Sequence, residues 1–311
     1  MRSHAFNATD TFTAFGLTIS SAIHFPELLP ATGAPDITVS YGHVPVELPH
    51  AKDRGPGYQA TSGQFLMDVD GVARFLVRHG NEIVIDPLPG AGDDDIRLFL
   101  LGSAFGALLH QRGNLVLHGS TVKVEGGCVV FLGRSGTGKS TLAAVLGRKG
   151  YRSLGDDVCV ISIGQDGVPY ASPSYPQAKL WVDTLQRLGI DETGLRRVRP
   201  SRPKRAVPIE GAWDHAPLPV KRVYVLSPGW LKLDPVLQPI RGSARFRVLR
   251  DYTYRVEFLH GLDMTRQHFK LAAQLASRLP VIRVVRAADA FVAEELAAVV
   301  EHDFRAANPV Y

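Results

Sequence analysis

The segment GRSGTGKST at residues 133–141 has the spacing G-x-x-x-x-G-K-[ST]. In this pattern the glycines allow successive backbone N–H groups to face one anion, the lysine reaches the β- and γ-phosphates, and the next hydroxyl binds Mg²⁺. The sequence therefore predicts a nucleotide-phosphate site. Its candidate residues are Gly133, Ser135, Gly136, Thr137, Gly138, Lys139, Ser140 and Thr141.

The flanking sequence fits this interpretation. Residues 128–132 (CVVFL) form an apolar run that predicts a buried strand, and residues 141–149 have helix-forming composition that ends at Gly150. A helix that begins directly after the loop adds its partial positive charge to the anion site. The alternative is an ordinary Gly/Ser-rich turn between a strand and a helix.

Two acidic residues follow at about one helix length. Asp156 and Asp157 end one short strand and precede another, which places them beside the loop in a strand-loop-helix-strand arrangement. One aspartate can hold Mg²⁺ while its neighbour takes a proton from an attacking hydroxyl. Because adjacent strand residues point to opposite faces, both can serve only if the chain bends, as Gly155 permits. An Asp-rich turn is the alternative.

His118, which precedes Gly119 at the end of another predicted strand, is a further candidate, although a single histidine is more often structural. Taken together, Leu117-His118-Gly119, GRSGTGKS at 133–140 and RSLGDDV at 152–158 resemble the C-terminal catalytic domain of HPr kinase/phosphorylase. The resemblance is strongest over about residues 115–163. It implies an α/β mixed-sheet fold related to the nucleotide domain of ATP-dependent phosphoenolpyruvate carboxykinase, with ATP and Mg²⁺ as cofactors.

The resemblance also assigns roles to residues. It gives Lys139 and the loop backbone to the phosphates, and Ser140 and Asp157 to Mg²⁺. Asp156 becomes the base that activates an acceptor serine, and His118 a second active-site group near the transferred phosphate.

One departure from the family is clear. Bifunctional HPr kinases carry an E-x-R-G-x-G segment after the double aspartate, whereas the corresponding region here reads SPSYPQAKLW. The departure argues against phosphorylase activity and against HPr as substrate. The overall layout is more similar to HPr-kinase-like proteins encoded with lasso-peptide precursors, some of which phosphorylate a serine at the precursor's C-terminus.

Residues 195–205 (LRRVRPSRPKR) hold six basic side chains and no acidic one, and their prolines predict a loop. Lys204 or Arg205 could neutralise a transferred phosphoryl group or grip an acceptor carboxylate. A solvated surface loop is the alternative. Nucleic-acid binding is disfavoured because no aromatic residues interleave with these charges.

Composition sets the remaining limits. The chain has 311 residues, 45% hydrophobic and 21% charged, with a formal net charge of +5. These values predict a globular protein suited to an anionic ligand. The two cysteines, Cys128 and Cys159, are expected to be buried free thiols. With no leader-like start and no long apolar segment, we expect a cytoplasmic protein without a membrane partner.

Patterning predicts a β-rich region over residues 1–92 and a catalytic domain over 93–311. In the first region we expect alternating strand-like runs and a hairpin at the Asp-Gly pair of residues 70–71. We expect a helix over about residues 95–112. After the loop helix, the patterns predict helices at 178–188, 263–278 and 289–304.

The leading hypothesis is an ATP-dependent kinase acting on a serine hydroxyl of a peptide or small protein. The alternatives are HPr kinase/phosphorylase and a nucleotide-binding sensor without transferase activity. Members of the resembled family are often hexameric, but the sequence indicates no oligomer interface.

Overall fold

The computed structural model describes residues 10–199, 202–211, 213–229, 235–287 and 292–306. Within these ranges the chain forms two compact units. The first comprises residues 10–116 and 254–271, and the second comprises residues 117–253 and 272–306. The boundary predicted between residues 92 and 93 concerns independent domains and stays a prediction. The two compact units divide at a different place, and the chain first passes from one to the other between residues 116 and 117.

The first unit contains a mixed sheet in the order β3-β1-β2-β4-β9-β8-β7-β6-β5. Its strands are β1 (Asp10–Ala14), β2 (Leu17–Ser21), β3 (Leu29–Pro30), β4 (Ile37–Tyr41), β5 (Asp53–Gly55), β6 (Tyr58–Thr61), β7 (Gln64–Val69), β8 (Ala73–Arg78) and β9 (Glu82–Pro87). The hairpin predicted at Asp70-Gly71 is confirmed between β7 and β8. Residues 10–21 form two strands, β1 and β2, because Phe15 and Gly16 both take positive φ and turn the chain between them.

The predicted helix at 95–112 is confirmed as a continuous helical stretch that contains a π-helical segment. It consists of α1 (Asp93–Phe99), the π segment Leu100–Ala104 and α2 (Phe105–Gln111). Three aspartates occupy its first turn, where negative charge complements the helix dipole. Its apolar face is fully buried in the core of the first unit, with Phe105 against Phe15 at a ring distance of 5.6 Å. Two further helices of this unit are α6 (Phe258–Gly261) and part of α7 (Thr265–Arg278).

The second unit begins at the last residue of β10 (Leu115–Leu117) and carries the candidate residues. Its strands are β11 (Gly119–Val124), β12 (Gly127–Leu132), β13 (Ser153–Gly155), β14 (Cys159–Ile163), β15 (Pro169–Ser172), β16 (Gln177–Trp181), β17 (Arg197–Arg199), β18 (Arg202–Pro208), β19 (Leu218–Gly229), β20 (Val236–Ile240) and β21 (Val281–Ala287). Its helices are α3 (Lys139–Arg148), α4 (Val182–Arg187), α5 (Ser243–Asp251) and α8 (Ala293–Ala306).

A mixed sheet organises this unit. Strands β12, β19 and β21 run parallel, while β11 and β20 pair antiparallel at the two sides. Strand β12 is buried along its whole length, as expected for a parallel strand covered on both faces. Phe131, Tyr224 and Val284 form one core with residues of α3 and α8. Both the loop after β12 and the ends of β19 and β21 therefore emerge at the same edge of the sheet. The expected α/β architecture with mixed sheets is confirmed.

Two predicted elements are wrong in part. Residues 177–181 form strand β16, so only the second half of the helix predicted at 178–188 exists, as α4. The stretch predicted as a loop at 195–205 contains β17 and the start of β18. Strand β18 pairs with β17 on one side and with β16 on the other, in a separate small sheet. Long-range pairing overrides the local proline signal in this region. The predicted start of the last helix, at 289, lies outside the described residues.

Cys128 and Cys159 are free and buried, as predicted. In the described part of the chain, no helix combines the length and the apolar composition needed to cross a membrane.

A partly buried hydrogen bond ties helix α8 to the sheet: the fully buried Tyr224 donates its hydroxyl proton to Asp303 at 2.6 Å. Arg222 also pairs with the Asp303 carboxylate, at 3.5 Å. We expect Tyr224→Phe to lower the free energy of unfolding by about 1–2 kcal/mol, because the carboxylate loses a short charge-assisted bond. Tyr170→Phe is the control, since its bond to Asp166 is exposed. Urea denaturation that gave the same small change for both variants would contradict this role.

Candidate functional site

The glycine-rich loop connects β12 to α3 through backbone conformations that side chains disfavour. Gly136 has φ 85° and Gly138, the N-cap of α3, has φ 95°. L-residues rarely occupy this left-handed region, whereas glycine enters it without steric cost. The loop therefore delivers the chain directly to the N-terminus of α3, where backbone N–H groups lack partners within the helix.

Lys139 is buried at the first position of α3, and its ammonium group bends back over the loop. Nζ donates to the carbonyl oxygen of Gly133 at 2.8 Å and to that of Arg134 at 3.3 Å. Burial lowers the pKa of this ammonium group, while the nearby Asp156 and Asp157 carboxylates work against the decrease. The loop thus holds a cation in its centre.

Asp156 accepts hydrogen bonds from three elements. Ser120 Oγ and Ser140 Oγ both donate to Oδ1, at 2.6 and 2.8 Å, and the backbone N–H of Lys179 donates to Oδ2 at 2.8 Å. The residue is only 4% exposed. A buried carboxylate requires donors of this kind to offset its loss of hydration. The contacts bring the end of β13 against α3, β11 and β16.

Asp157 points into the same cleft because its own backbone turns. Its φ is 72°, so the bend expected at Gly155 occurs at Asp157 instead. Lys179 Nζ forms an ion pair with Oδ2 at 2.6 Å, and His118 Nδ1 lies 3.3 Å from Oδ1. Burial alone would raise the pKa of the Asp157 carboxyl, but Lys179, His118 and Lys204 together hold it well below its usual range.

His118 is held through both its ring and its backbone. Nδ1 lies 3.0 Å from the carbonyl oxygen of Asp157, and its backbone N–H donates to the carbonyl oxygen of Tyr252. Burial lowers the pKa of the imidazole, and Asp157 partly opposes this effect.

These residues line one cleft of about 430 Å³, part of which is open to solvent. Most of the residues predicted from sequence meet here: His118, Ser135, Gly136, Gly138, Lys139, Ser140, Thr141, Asp156, Asp157 and Lys204. Gly133 and Thr137 do not line the cleft but make hydrogen bonds within the loop. The carbonyl of Gly133 accepts from Lys139, and the hydroxyl of Thr137 donates to the carbonyl of Arg134.

Lys204 and Arg205 are separated by the alternation of β18. Lys204 lines the cleft, with Nζ 4.8 Å from the centre of the Trp181 ring. Arg205 instead forms an ion pair with Glu192 at 2.9 Å. Successive strand residues point to opposite faces, so the expectation that Arg205 binds the cofactor is not supported by this arrangement.

Sequence reasoning missed four residues of this site: Ser120, Lys179, Leu180 and Trp181. Ser120 directly follows the His-Gly pair that was recognised. Lys179 and Trp181 lay in a segment interpreted as helical, although QAKLW places both on one face of a strand. Recognising that alternation would have placed Lys179 beside Trp181, but the pairing with β18 that fixes their position depends on distant residues.

The predicted metal ligands are only partly brought together. Ser140 contacts Asp156 rather than Asp157, although both carboxylates line the cleft. No group of three or more His, Cys, Asp or Glu forms a metal cluster in the ranges that the structure describes. Because Mg²⁺ commonly takes one or two carboxylates together with phosphate oxygens, these hard oxygen donors fit a Mg²⁺ ion shared with a nucleotide.

No known protein-family profile matches the chain, and no curated protein sequence does. Among solved structures, the chain is similar to the HPr(Ser) kinase/phosphatase from Coxiella burnetii. The two are 11% identical, with a TM-score of 0.31, over 61% of this chain and 96% of that chain. A likeness of this size does not define function.

Asp157→Asn tests the electrostatics of the cleft. Since the pKa of Asp157 is depressed, its carboxylate stabilises the fold above the ordinary aspartate pKa of about 3.9, and this contribution is lost as the pH falls through the lower pKa of the folded state. We expect the wild type to be more stable at pH 7 and the difference to shrink as the pH falls from about 4 toward 2.

Urea denaturation over a pH series measures this difference. Glu295→Gln, at an exposed position in the first turn of α8, is the control and should show little pH dependence relative to wild type. A difference for Asp157→Asn that grew at acidic pH would contradict the assignment.

Proposed function

We propose that this protein is an ATP- and Mg²⁺-dependent phosphotransferase that phosphorylates a hydroxyl group on a peptide or small protein. The observation that carries the proposal is the convergence, in one cleft, of a glycine-rich loop at a helix N-terminus with Lys139 and two carboxylates. The first part suits a polyphosphate, and the second suits metal binding and proton transfer.

The loop and Lys139 would hold the β- and γ-phosphates. Ser140 and Asp157 are the residues that would hold Mg²⁺, and the ion would neutralise charge on the phosphate oxygens. In this scheme Lys179 and Lys204 add positive charge on the wall formed by β16 and β18.

Asp156 is the proposed base. Two serine hydroxyls already donate to its Oδ1 at 2.6 and 2.8 Å, so an alcohol O–H suits the environment of this carboxylate. In the proposed reaction the acceptor hydroxyl gives its proton to Asp156. Its oxygen bonds to the γ-phosphorus as the bond to the bridging oxygen breaks, and ADP leaves.

The acceptor that we propose is the C-terminal serine of a lasso-peptide precursor, and the support for it is the motif resemblance together with the absent E-x-R-G-x-G segment. The protein should be incubated with Mg²⁺ and radiolabelled ATP alone, with a precursor peptide ending in serine, or with HPr. Label on the precursor supports the proposal. Label on HPr would favour an HPr kinase, and ATP binding without transfer to either acceptor would favour a sensor.

Lys139→Ala should weaken ATP binding. The ammonium group is the cation at the centre of the loop, and one charge-assisted contact corresponds to roughly a 10- to 100-fold change in Kd. Isothermal titration calorimetry with ATP and Mg²⁺ measures this change. Arg148→Ala, at the exposed end of α3, should bind ATP as the wild type does, and unchanged affinity in both variants would refute the loop assignment.

Asp156→Asn should separate catalysis from binding. The amide keeps the shape of the side chain but is a much weaker base, so kcat should fall by roughly 10²–10⁴-fold while the Kd for ATP changes little. Asp166→Asn, at an exposed carboxylate that does not line the cleft, is the control. Full transferase activity in Asp156→Asn would remove this residue as the base.

A further inference from the structure

An exposed basic surface lies on the second unit beside the candidate cleft. We call it the arginine surface, and it consists of Arg134, Tyr252 and Arg283. Arg134 and Arg283 are both exposed. Burial raises the pKa of the Tyr252 phenol, the Arg134 guanidinium group lowers it, the Asp251 carboxylate adds to the increase, and the Arg283 guanidinium group opposes it. The Asp251 carboxylate is itself paired with Arg250 at 2.8 Å. Both arginine charges therefore lie close to the same phenol.

The sheet register explains why residues so distant in sequence meet. Leu132 on β12 aligns with Val225 on β19, which aligns with Arg283 on β21. Neighbouring strands are about 4.8 Å apart, so Arg283 lies about 10 Å from the point where the glycine-rich loop begins. Arg134 is the second residue after Leu132 and approaches from the loop side.

All three aligned residues share one face of the sheet. The neighbours Phe131, Tyr224 and Val284 belong to the core beneath α3 and α8, so Leu132, Val225 and Arg283 point to the opposite face. The arginine surface is therefore separated from the side of the sheet on which α3 lies.

Tyr252 connects this surface to the candidate catalytic groups. Its carbonyl accepts from the backbone N–H of His118 at 2.9 Å, and Leu117 pairs with Thr253 in an isolated bridge. His118 in turn contacts Asp157 and lines the cleft. A group bound between the two arginines would lie near the side of the cleft that His118 forms.

We propose that the arginine surface binds a carboxylate of the acceptor and so selects peptides that carry negative charge next to the reacting serine. This inference rests on the proposed function. Guanidinium groups match the planar geometry of a carboxylate better than ammonium groups do. The carboxylate has two possible sources, the C-terminus of the peptide or an Asp or Glu side chain.

Fluorescence anisotropy with short labelled serine peptides tests binding, in the presence of Mg²⁺ and a non-hydrolysable ATP analogue. One degenerate pool ends in serine with a free C-terminal carboxylate, and its matched pool is amidated. A second pair carries an internal serine flanked by Glu or by Gln, with amidated ends. The first comparison reports a C-terminal carboxylate and the second an acidic side chain.

The variant is Arg283→Gln, and its matched control is Arg247→Gln, another exposed arginine of the second unit on α5. We expect Arg283→Gln to raise the Kd for the preferred acidic pool by about tenfold, the effect of one charge-assisted hydrogen bond. Arg134→Gln should act in the same direction. Arg247→Gln should leave the Kd unchanged, and Arg283→Gln should keep the wild-type affinity for ATP.

Several results would overturn the proposal: equal binding of the charged and neutral pools, no binding of any pool, equal effects of Arg283→Gln and Arg247→Gln, or loss of ATP affinity in Arg283→Gln. A transfer assay with the same pools separates this inference from the proposed function. Charge-selective binding without phosphoryl transfer would leave the surface assigned and the kinase proposal refuted. Phosphoryl transfer without charge-selective binding would support the kinase proposal and refute the carboxylate site on the arginine surface.

Discussion

The buried carboxylate of Asp156 is the constraint on which the arrangement of the cleft depends. It accepts from Ser120 on β11, Ser140 on α3 and the backbone of Lys179 on β16. A carboxyl group that is 4% exposed is tolerated only when hydrogen-bond donors surround it. The three elements must therefore approach one another closely, and the cleft takes its shape from that requirement.

Each lysine near this carboxylate is held by a different acceptor group of the protein. Lys179 neutralises Asp157 at 2.6 Å, whereas Lys139 is held by the loop carbonyls. Holding each charge on a different element gives a cleft that is polar throughout yet positioned by backbone contacts.

The sequence predicts those parts of the structure that depend on interactions between residues close along the chain. It does not predict the parts that depend on residues far apart in the sequence. The loop, β12 and the helix after it were predictable because glycine spacing and an apolar run are local signals. The position of β16 was not, since residues 177–181 become a strand only by pairing with residues 204–208. For the same reason Lys179 was missed and Arg205 was misplaced. Ser140 contacts Asp156 rather than Asp157. This choice depends on the backbone turn at Asp157, which the amino-acid sequence does not specify.

That turn has a consequence for which residues position 157 can accommodate. With φ at 72°, the backbone is in a region that Asp and Asn enter more readily than most side chains, and that β-branched residues avoid. The second position of the acidic pair is therefore restricted by conformation as well as by charge. A glutamate there would retain the carboxylate, but it would lose the short side chain that tolerates this turn. Among substitutions of this residue, glycine and asparagine should therefore strain the backbone less than other acidic or bulky residues do.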